Sequence, residues 1–583
     1  MGNDNGGKKT KNERGAATIA PSLERARACA ADFGSVPVYV TLPEQTREAS
    51  ELFCVLKRLS RHCFLFESRE DPERWGRYTY LGFDPTLELS CTDGKLRVRN
   101  GATIEIETRE PRRFIEQVLA DHRGPQLEEL PPFTGGLVGY FSYDYLRYSE
   151  PVLDQGIYDR KAASQKTANP EAPRQEAPGQ EAPGQGAASE EGFKDVDLML
   201  FDKLIAYDHL EHRIFLIANV GTESLDENYH RAAHELSALA ELVATGEAVR
   251  AEPLRLKGPL KPLFDEARYC DMVERAKRYI REGDIFQVVL SNRLSAPATG
   301  SLFDTYCALR ENNPSPYMFY FASDDIELAG SSPETLAKLL DNTVYTFPLA
   351  GTRPRGATFK ADAELERELL ADEKELAEHN MLVDLGRNDV GRVSAFGTVK
   401  VERYLDILRF SHVMHIGSTV TGQLAADKTG LDVIDAILPA GTLSGAPKIR
   451  ACQIINELEG GRRGVYGGAV GYLSFAGNLD TCIAIRLAWL KDGEVFVRSG
   501  AGIVADSVAA NEYQECRNKM QAVLDALEKS ATSAVEAAPT VEATPAPEAE
   551  AASAPKAEAS AVGAEASAPE TKPTLSEGEV TSP

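Results

Sequence analysis

Two glutamates, Glu378 and Glu515, could together hold a divalent cation, although they lie far apart in the chain. The segment around Glu378 places four apolar residues along one stripe of a single predicted helix: Leu365, Leu369, Leu376 and Val383. The last predicted helix carries Glu515 and a similar stripe of Tyr513, Cys516, Met520, Val523 and Leu527. If the two helices meet, their carboxylates form a site of hard oxygen ligands for Mg²⁺, with open positions for a ligand's own carboxylates.

The spacing of Glu515 and Lys519 also has a simpler interpretation. A Glu and a Lys four residues apart on a helix are typical of a solvent-exposed ion pair. The sequence therefore leaves both alternatives open for Glu515: a metal ligand or half of a surface pair.

Three turns rich in small residues could bind an anion. They are "FPLAGTRPRG" (347–356), "PAGTLSGAPKIRA" (439–451) and "RSGAGIVADS" (498–507). Turns of this kind bring backbone N–H groups close to an anion, and Arg486, on the strand before the third turn, offers a planar fork for a carboxylate. The chain has no G-x-G-x-x-G after a strand and no P-loop, so a nucleotide is not favoured. The predicted ligand is a small polyanion that coordinates a metal.

Two histidines, His412 and His415, lie three residues apart in the strand-like stretch "HVMHIGSTVTG". This spacing places them on opposite faces of a strand, so it does not predict a zinc pair. His415 alone could be a general acid or base, or a structural histidine.

The composition narrows the class of protein. A net charge of −25 argues against nucleic acid or an anionic membrane as the main partner. No apolar run approaches the ~20 residues that a membrane helix needs, and the polar N-terminus has no apolar core of a signal peptide. The nine cysteines are scattered singly, which predicts reduced thiols in a cytoplasmic protein.

The chain divides into folded regions and segments predicted to be disordered. Residues 1–20 are polar, residues 155–192 repeat a unit rich in Pro, Gln and Glu, and residues 532–583 form an Ala/Pro/Glu-rich tail. The remaining chain gives an N-terminal region, 21–255, and a second region, 256–531.

The folded regions combine strands with helices. Short apolar runs such as "PVYVTL", "CFLFES" and "RYTYLGF" predict antiparallel strands, and "LMLFDKLIAYDHLEHRIFLIANV" reads as two strands joined by a turn. With the two helical segments, this pattern predicts an α+β protein in which large antiparallel sheets pack as a sandwich with helices on the outer faces.

Nine motifs between residues 283 and 507 resemble, in order, those of the large subunit of anthranilate synthase, a chorismate-utilising enzyme. They are "GDIFQVVLSNR", "NPSPYMFY", "GSSPE", "PLAGTRPRG", "EHNMLVDLGRNDVGRV", "HVMHIGSTVTG", "PAGTLSGAPKIRA", "YGGAVGYLSF" and "RSGAGIVADS". The resemblance implies the fold of the chorismate-utilising enzymes and a lyase reaction in which chorismate and ammonia give anthranilate and pyruvate. It also implies Mg²⁺ as cofactor and a place at the first step of tryptophan biosynthesis.

The resemblance assigns roles to individual residues by motif. It implies that Glu378 and Glu515 hold Mg²⁺, that His415 transfers a proton during pyruvate elimination, and that Thr442 lines the pocket. The residues that it places against chorismate are Gly351, Thr352, Tyr466, Arg486, Gly500, Ala501 and Gly502.

Two positions separate this chain from neighbouring families. Subunits of the 4-aminobenzoate pathway usually carry a nucleophilic Lys in a "PIKGT" motif, where this chain has Ala350. Isochorismate and salicylate synthases usually place a Lys general base where this chain has Gln287, because they must activate water. Both positions favour an enzyme that uses ammonia.

The resemblance also implies feedback inhibition and a partner. The residues that match the family's tryptophan-binding segments are Glu67, Ser68, Pro316, Tyr317 and Met318, with Phe66 in place of the usual Leu. None of the cysteines lies in a Gly-x-Cys-x-Gly elbow, so we expect ammonia to come from a separate glutamine amidotransferase subunit. This predicts a hetero-oligomer, such as a heterotetramer.

Two other functions remain open at this point. One is an aminodeoxychorismate synthase, which would retain the enolpyruvyl group and yield a non-aromatic amino acid. The other is a catalytically inactive protein that only binds tryptophan, against which Glu378, His415, Arg486 and Glu515 all argue.

Overall fold

The computed structural model describes residues 19–69, 76–153, 193–409 and 413–536. The segment predicted to be disordered at 155–192 lies outside these residues, as do nearly all of 1–20 and 532–583. The last helix continues through Glu536, five residues into the expected tail.

Strands dominate the described residues. In chain order they are β1 (Ser35–Pro43), β2 (Cys63–Glu67), β3 (Tyr78–Phe83), β4 (Leu87–Thr92), β5 (Lys95–Asn100), β6 (Ala102–Glu107), β7 (Gly136–Phe141), β8 (Val196–Phe201), β9 (Lys203–Asp208), β10 (Arg213–Gly221), β11 (Arg255–Leu256), β12 (Lys261–Pro262), β13 (Gln287–Thr299), β14 (Tyr317–Ala322), β15 (Ile326–Ser332), β16 (Thr335–Leu340), β17 (Thr343–Thr346), β18 (Leu349–Pro354), β19 (Lys400–Arg409), β20 (Val413–Gln423), β21 (Gly445–Ala446), β22 (Ala469–Ser474), β23 (Leu479–Ile483), β24 (Leu487–Lys491) and β25 (Glu494–Ile503).

Helices connect these strands and cover the sheets. They are α1 (Leu23–Cys29), α2 (Ala49–Leu59), α3 (Pro111–Asp121), α4 (Leu146–Ser149), α5 (Leu225–Thr245), α6 (Glu266–Arg281), α7 (Phe303–Asn312), α8 (Phe359–Ala371), α9 (Glu373–Gly391), α10 (Gly430–Ile437), α11 (Lys448–Glu459) and α12 (Ala509–Glu536). A short 3₁₀ turn, Gly441–Leu443, precedes β21.

The strands form two antiparallel sheets. The first sheet has the order β1-β10-β9-β3-β2-β14-β15-β24-β25-β13-β11, with β12 and β21 also paired to β13. The second has the order β18-β20-β17-β16-β23-β22-β7-β8-β4-β5-β6, with β19 paired to β20. Each sheet joins a block of strands from 21–255 to a block from 256–531, at the β2–β14 pair in the first sheet and the β7–β22 pair in the second. The two sequence regions therefore fold into one compact unit.

The first sheet separates two hydrophobic cores, and this arrangement explains its apolar strands. In β2, Cys63 and Leu65 face the core shared with the helices, whereas Phe64 faces the second sheet. The Phe64 ring lies 4.9 Å from the ring of Phe201 on β8. Since side chains alternate along a strand, a strand buried on both faces reads as a continuous apolar run. The predicted α+β sandwich with outer helices is confirmed.

One predicted pair of strands is in fact three. The stretch read as two strands forms β8, β9 and β10, and Asp202 is the only residue between β8 and β9. β8 belongs to the second sheet and β9 to the first, so the chain crosses between sheets at Asp202. Only Asp202 and Lys203 interrupt the apolar residues at this crossing, because both strands are buried, and so short an interruption hid the boundary.

The single helix predicted around Glu378 is also wrong, because the chain forms α8 and α9 instead. Asp372 separates them in an extended conformation, and its carboxylate accepts hydrogen bonds from the N–H groups of Lys374 (3.1 Å) and Glu375 (3.3 Å). An aspartate in this position caps the start of a helix. The cap therefore fixes where the helix carrying Glu378 begins.

Neither a disulfide nor a membrane helix contributes to the described part of the chain. All nine cysteines are free thiols, as predicted. Among the described helices, none combines the length and apolar character needed to cross a membrane.

A buried carboxylate at the end of α11 binds two arginines. Glu459 is 6% exposed, and its oxygens lie 2.6 Å from Arg463 Nη2 and 2.8 Å from Arg498 Nη2. The same carboxylate accepts a hydrogen bond from the N–H of Ser291 on β13 (2.8 Å). Burial opposes ionisation of Glu459, but the two arginines outweigh it and lower its pKa.

The arginines extend this cluster to neighbouring elements. Arg463 donates to the backbone oxygens of Leu443 and Val289, each at 2.6 Å. Arg498 lies on β25, so the cluster ties α11, β13, β25 and the 3₁₀ turn together. We call Glu459, Arg463 and Arg498 the buried ion cluster.

We expect Glu459→Gln to lower the free energy of unfolding by about 3–5 kcal/mol, because it leaves buried guanidinium groups without their counter-charge. Denaturant unfolding followed by circular dichroism measures this change. Glu457→Gln is the matched control, since Glu457 lies on the same helix but pairs with Arg275 at the surface, and it should cost less than about 1 kcal/mol. Equal losses for the two variants would contradict the prediction.

Candidate active site

His415 lies on β20 opposite Thr352 of β18. Its Nδ1 lies 3.0 Å from the carbonyl oxygen of Gly351 and 3.0 Å from the Thr352 hydroxyl. A carbonyl oxygen can only accept, so Nδ1 carries the proton and Nε2 of the neutral ring has a lone pair. Burial lowers the pKa of His415, and the positive charge of the nearby Arg486 lowers it further. The hydrogen bond to Gly351 raises the pKa but does not outweigh these two effects. The neutral ring is therefore suited to accept a proton at Nε2.

Gly351 occupies a position that only glycine adopts easily. Its φ is +67°, and it forms a β-bulge between Ala350 and Thr352. A Cβ there would lie 3.1 Å from Glu375 Oε2 and 3.0 Å from Leu369 Cδ1. The bulge turns the Gly351 carbonyl towards His415, which explains the glycine in "PLAGTRPRG".

Arg486 is the cation of the site. The residue follows β23 with a left-handed φ of +50°, and it is surface-accessible, although burial of its guanidinium lowers the pKa. Its guanidinium makes no ion pair within the described residues, whereas most other arginines there have a carboxylate partner. An accessible guanidinium without a counter-ion is suited to bind the carboxylate of a ligand.

Gly500, Ala501 and Gly502 lie within strand β25, where they pair with β13, so the turn predicted for them is wrong. This segment approaches two other predicted residues. A Cβ on Gly500 would lie 3.0 Å from the Tyr466 hydroxyl, and one on Gly502 would lie 2.7 Å from Gln287 Nε2. Tyr466 and Gln287 are both buried, and Ala501 between the glycines is fully buried. The two glycines therefore keep one face of β25 free of side chains.

Glu334, in the loop after β15, was not among the predicted site residues, although it ends the motif "GSSPE". Its Oε1 accepts a hydrogen bond from the Thr442 hydroxyl at 3.0 Å. Burial raises its pKa to about 7, against the lowering effects of Thr442, Arg486 and Lys519. Glu334 can therefore donate a proton near neutral pH, as a general acid must.

Four carboxylates converge from α9 and α12. Burial raises the pKa of Glu378, and the neighbouring carboxylates of Glu375 and Glu515 raise it further. Burial also raises the pKa of Glu512, with a contribution from Glu515. The Glu378 and Glu515 carboxylates therefore lie near enough to interact electrostatically. Carboxylates that repel one another are a donor set suited to Mg²⁺, whose charge would offset the repulsion.

The structure also contains the Glu515–Lys519 ion pair, which is the alternative interpretation of Glu515. Lys519 Nζ lies 2.7 Å from Glu515 Oε1, with both side chains about half exposed. The same ammonium group lies 3.3 Å from the carbonyl oxygen of Gly500. The pair therefore borders the Gly500–Ala501–Gly502 segment.

Sequence reasoning missed Glu375 and Glu512, although each lies one helical turn before a predicted ligand.

His379, adjacent to Glu378, has a structural role. It is fully buried, its Nε2 lies 2.7 Å from the Ser418 hydroxyl, and burial lowers its pKa to about 4. His412 lies outside the described residues.

The predicted tryptophan segments lie side by side. β2 pairs with β14 so that Glu67 lies opposite Met318, and the Arg69 N–H donates to the Ser315 oxygen at 3.2 Å. Glu67 is buried against α7, where it binds Arg310 (2.6 Å).

The side chains of these segments point to two faces of the first sheet. Met318 packs with Glu67 on the helix side, whereas Tyr317 packs between the sheets and donates to Asp480 Oδ1 (2.8 Å). Pro316 and Ser68 are half-buried next to Tyr317 and Glu67. A ligand between the sheets would meet the side chain of Tyr317 and not those of Glu67 and Met318.

We expect Thr442→Val to raise the pKa of Glu334 above about 7, because the Thr442 hydroxyl stabilises the charged carboxylate. A pH titration followed by NMR, on protein whose glutamate residues are labelled with ¹³C, measures this pKa. Thr346→Val, at a buried threonine on β17, is the control and should leave the Glu334 titration unchanged. A pKa that stays the same or falls in Thr442→Val would refute the role of this hydrogen bond.

Comparisons with known proteins identify the family of this chain. The chorismate binding enzyme family matches residues 174–525. Anthranilate synthase component 1 of Acetivibrio thermocellus is 41% identical over 520 residues, which are 88% of this chain and 99% of that protein. The Pseudomonas aeruginosa protein of the same name is 42% identical over 471 residues, covering 80% and 90%.

Solved structures agree with the fold. Anthranilate synthase component I from Streptococcus pneumoniae aligns with a TM-score of 0.61 at 36% identity, covering 77% of this chain and 92% of that one. The menaquinone-specific isochorismate synthase of Escherichia coli shares the fold, with a TM-score of 0.60 at 19% identity over 87% of this chain and 99% of that one. The chain therefore belongs to the chorismate binding enzyme family, and within it to the anthranilate synthase component 1 proteins.

Proposed function

We propose that this protein converts chorismate and ammonia to anthranilate, pyruvate and water, as the first step of tryptophan biosynthesis. The observation that supports this proposal is that Arg486, a guanidinium with no ion pair among the described residues, lies near enough to both Glu334 and His415 to lower their pKa values. One group can donate a proton, the other can accept one, and Arg486 can hold an anionic substrate between them.

The residues divide the reaction between them. Arg486 binds a substrate carboxylate, with Gly351, Thr352, Tyr466 and the Gly500–Ala501–Gly502 segment shaping the pocket around the ring. Glu334, held by Thr442, donates a proton to the hydroxyl that leaves the ring as water when ammonia adds. His415 then accepts the ring proton at Nε2 as the enolpyruvyl group leaves and becomes pyruvate, which makes the ring aromatic.

Glu378 and Glu515 would hold Mg²⁺, with Glu375 and Glu512 beside them. The bound ion would supply positive charge to the ring carboxylate of the substrate. With the metal bound, Glu515 would no longer contact Lys519. The ammonium group of Lys519 would remain near Gly500, where it would face the anionic substrate.

Two side chains favour ammonia over other nucleophiles. Gln287 is neutral, so it cannot deprotonate a water molecule as a lysine could. Ala350 pairs with Ile416 next to the Gly351 bulge and offers no amine to attack the ring. These positions support anthranilate synthesis over aminodeoxychorismate synthesis.

The proposal extends to partners and location. We infer a cytoplasmic protein in a hetero-oligomer, in which a separate glutamine amidotransferase subunit supplies ammonia. We also infer inhibition by L-tryptophan, bound where β2 and β14 pair, with Ser68 and Met318 as contacts and with Glu67, Pro316 and Tyr317 in the same two segments.

We expect the purified protein to form fluorescent anthranilate from chorismate, Mg²⁺ and ammonium at mildly alkaline pH. Chelation of Mg²⁺, or Glu378→Gln, should lower the rate by about 100-fold or more, because the substrate carboxylate loses its counter-charge. Glu528→Gln, at an exposed site farther along α12, should retain the wild-type rate. A non-aromatic amino acid as product would instead identify an aminodeoxychorismate synthase, and no turnover by the folded protein would refute catalysis.

We expect L-tryptophan to inhibit this reaction and Ser68→Ala to raise the inhibitory concentration about tenfold, as the loss of one hydrogen bond predicts. Ser90→Ala, on β4, is the matched control and should leave inhibition unchanged. Calorimetric titration measures binding directly. Absence of both heat and inhibition at millimolar tryptophan would rule out the regulatory site.

A further inference from the structure

Arg353 joins the strand of the proposed chorismate site to the helix of the proposed metal site. It lies on β18 directly after Thr352, and its Nη1 donates to the Thr352 carbonyl oxygen at 3.0 Å. On the other side, Nη2 donates to Asp372 Oδ2 at 2.8 Å, and Nη1 lies 3.5 Å from Glu375 Oε1. Asp372 caps α9 and Glu375 lies in its first turn, so one guanidinium holds the start of this helix against β18.

The carboxylate of Glu375 packs closely against β18. Its Oε2 would lie only 3.1 Å from a Cβ on Gly351, so the bare backbone of that glycine makes room for it. The side chains of Arg353 and Glu375 are 19% and 23% exposed, and Arg353 is the only cation in ion-pair contact with Glu375 in the described part of the chain. Because a partly buried ion pair is screened less than an exposed one, Arg353 offsets the negative charge of Glu375.

Glu375 is also close to a proposed metal ligand. It lies one helical turn before Glu378 on α9, and its negative charge contributes to the raised pKa of Glu378. A carboxylate at this position becomes a third ligand of an ion bound at Glu378 and Glu515 once its side chain is free to turn towards them. The contact with Arg353 opposes that turn.

The charge of a magnesium site explains why this restraint matters. Glu378 and Glu515 together carry two negative charges, which Mg²⁺ balances. A third carboxylate would bind the free ion more tightly, since affinity depends on the number of charged ligands. It would also make the ion and its ligands net negative, and that charge would repel the carboxylate of chorismate.

We propose that Arg353 is a positioning residue that withholds Glu375 from Mg²⁺, so that the bound ion keeps the charge needed for the substrate carboxylate. This inference rests on the proposed function, because it takes Glu378 and Glu515 as the metal ligands and chorismate as the substrate. A protein that lacks the Arg353 guanidinium then binds Mg²⁺ more tightly and chorismate more weakly.

Calorimetric titration with Mg²⁺ alone tests the first half of the proposal and needs no turnover. We expect Arg353→Gln to lower the Kd for Mg²⁺ about tenfold, because Glu375 becomes a third charged ligand. Arg355→Gln is the matched control and should leave the Kd unchanged, since Arg355 lies two residues farther along the chain and pairs with Asp362 at 2.9 Å.

This titration separates failure of the inference from failure of the proposed function. If the wild-type protein binds Mg²⁺ and Arg353→Gln binds it no more tightly, the inference is wrong and the proposed metal site stands. If neither protein binds Mg²⁺, the proposed metal site is wrong and the inference fails with it.

Two double variants distinguish a new ligand from a general effect of charge. Arg353→Gln combined with Glu375→Gln should return the Kd to near the wild-type value, because the third ligand is lost. Arg353→Gln combined with Glu368→Gln has the same net charge, but Glu368 is an exposed residue of α8 that lies 3.4 Å from Arg353 Nε. This second pair should keep the tighter binding. Equal Kd values for the two double variants would overturn the proposal.

Steady-state kinetics at saturating Mg²⁺ tests the second half. We expect Arg353→Gln to raise KM for chorismate about tenfold and to change kcat less than about threefold, because only the binding of the anion is weakened. Arg353→Lys, which keeps the positive charge, should have a KM near that of the wild type. A lower kcat with an unchanged KM would show that Arg353 has only a structural role, which would overturn the proposal.

Discussion

The buried ion cluster of Glu459, Arg463 and Arg498 is the interaction on which the site depends most. One carboxylate satisfies two guanidinium groups in the interior, where a charge without a partner would be very costly. Through the hydrogen bonds of Arg463, the cluster holds the turn that carries Thr442, and it anchors β25 just before the Gly500–Ala501–Gly502 segment. Both guanidinium groups also lie 6.0 Å from the ring centre of Tyr466. Residues that do chemistry are thus positioned by residues that never meet the substrate.

The antiparallel sandwich supplies the rigid frame around this cluster. Each sheet joins a block of strands from one half of the chain to a block from the other, so both halves contribute to both cores. In the first sheet this junction brings β2 next to β14, which places the predicted regulatory segments side by side. The predicted regulatory segments and the Gly500–Ala501–Gly502 segment therefore lie in the same sheet, in which β14 and β25 are separated by two strands.

Electrostatics explains how one pocket can serve two proton transfers. His415 is kept neutral by burial and by the charge of Arg486, and its tautomer is set by the Gly351 carbonyl. Burial raises the pKa of Glu334 to about 7, so a substantial fraction of it is protonated at neutral pH. The pKa of the glutamic acid therefore lies above that of the histidine, which reverses their ordinary order and allows an acid and a base to act in one site.

The sequence by itself determined the features that depend on local pattern. The apolar runs of β2 and β14, the apolar stripe of α12, and the glycines of "PLAGTRPRG" and "RSGAGIVADS" all follow from the pattern within one segment. The nine ordered motifs likewise indicated the family and most residues of the site. The tertiary structure alone decided which distant groups meet: Glu334 with Thr442, the carboxylates of α9 with those of α12, and Arg353 with Glu375. It also decided that Asp372 ends one helix and caps the next, and that the chain changes sheets at Asp202. These outcomes depend on hydrogen bonds, burial and charge between residues far apart in the chain, and periodicity within a segment carries no information about them.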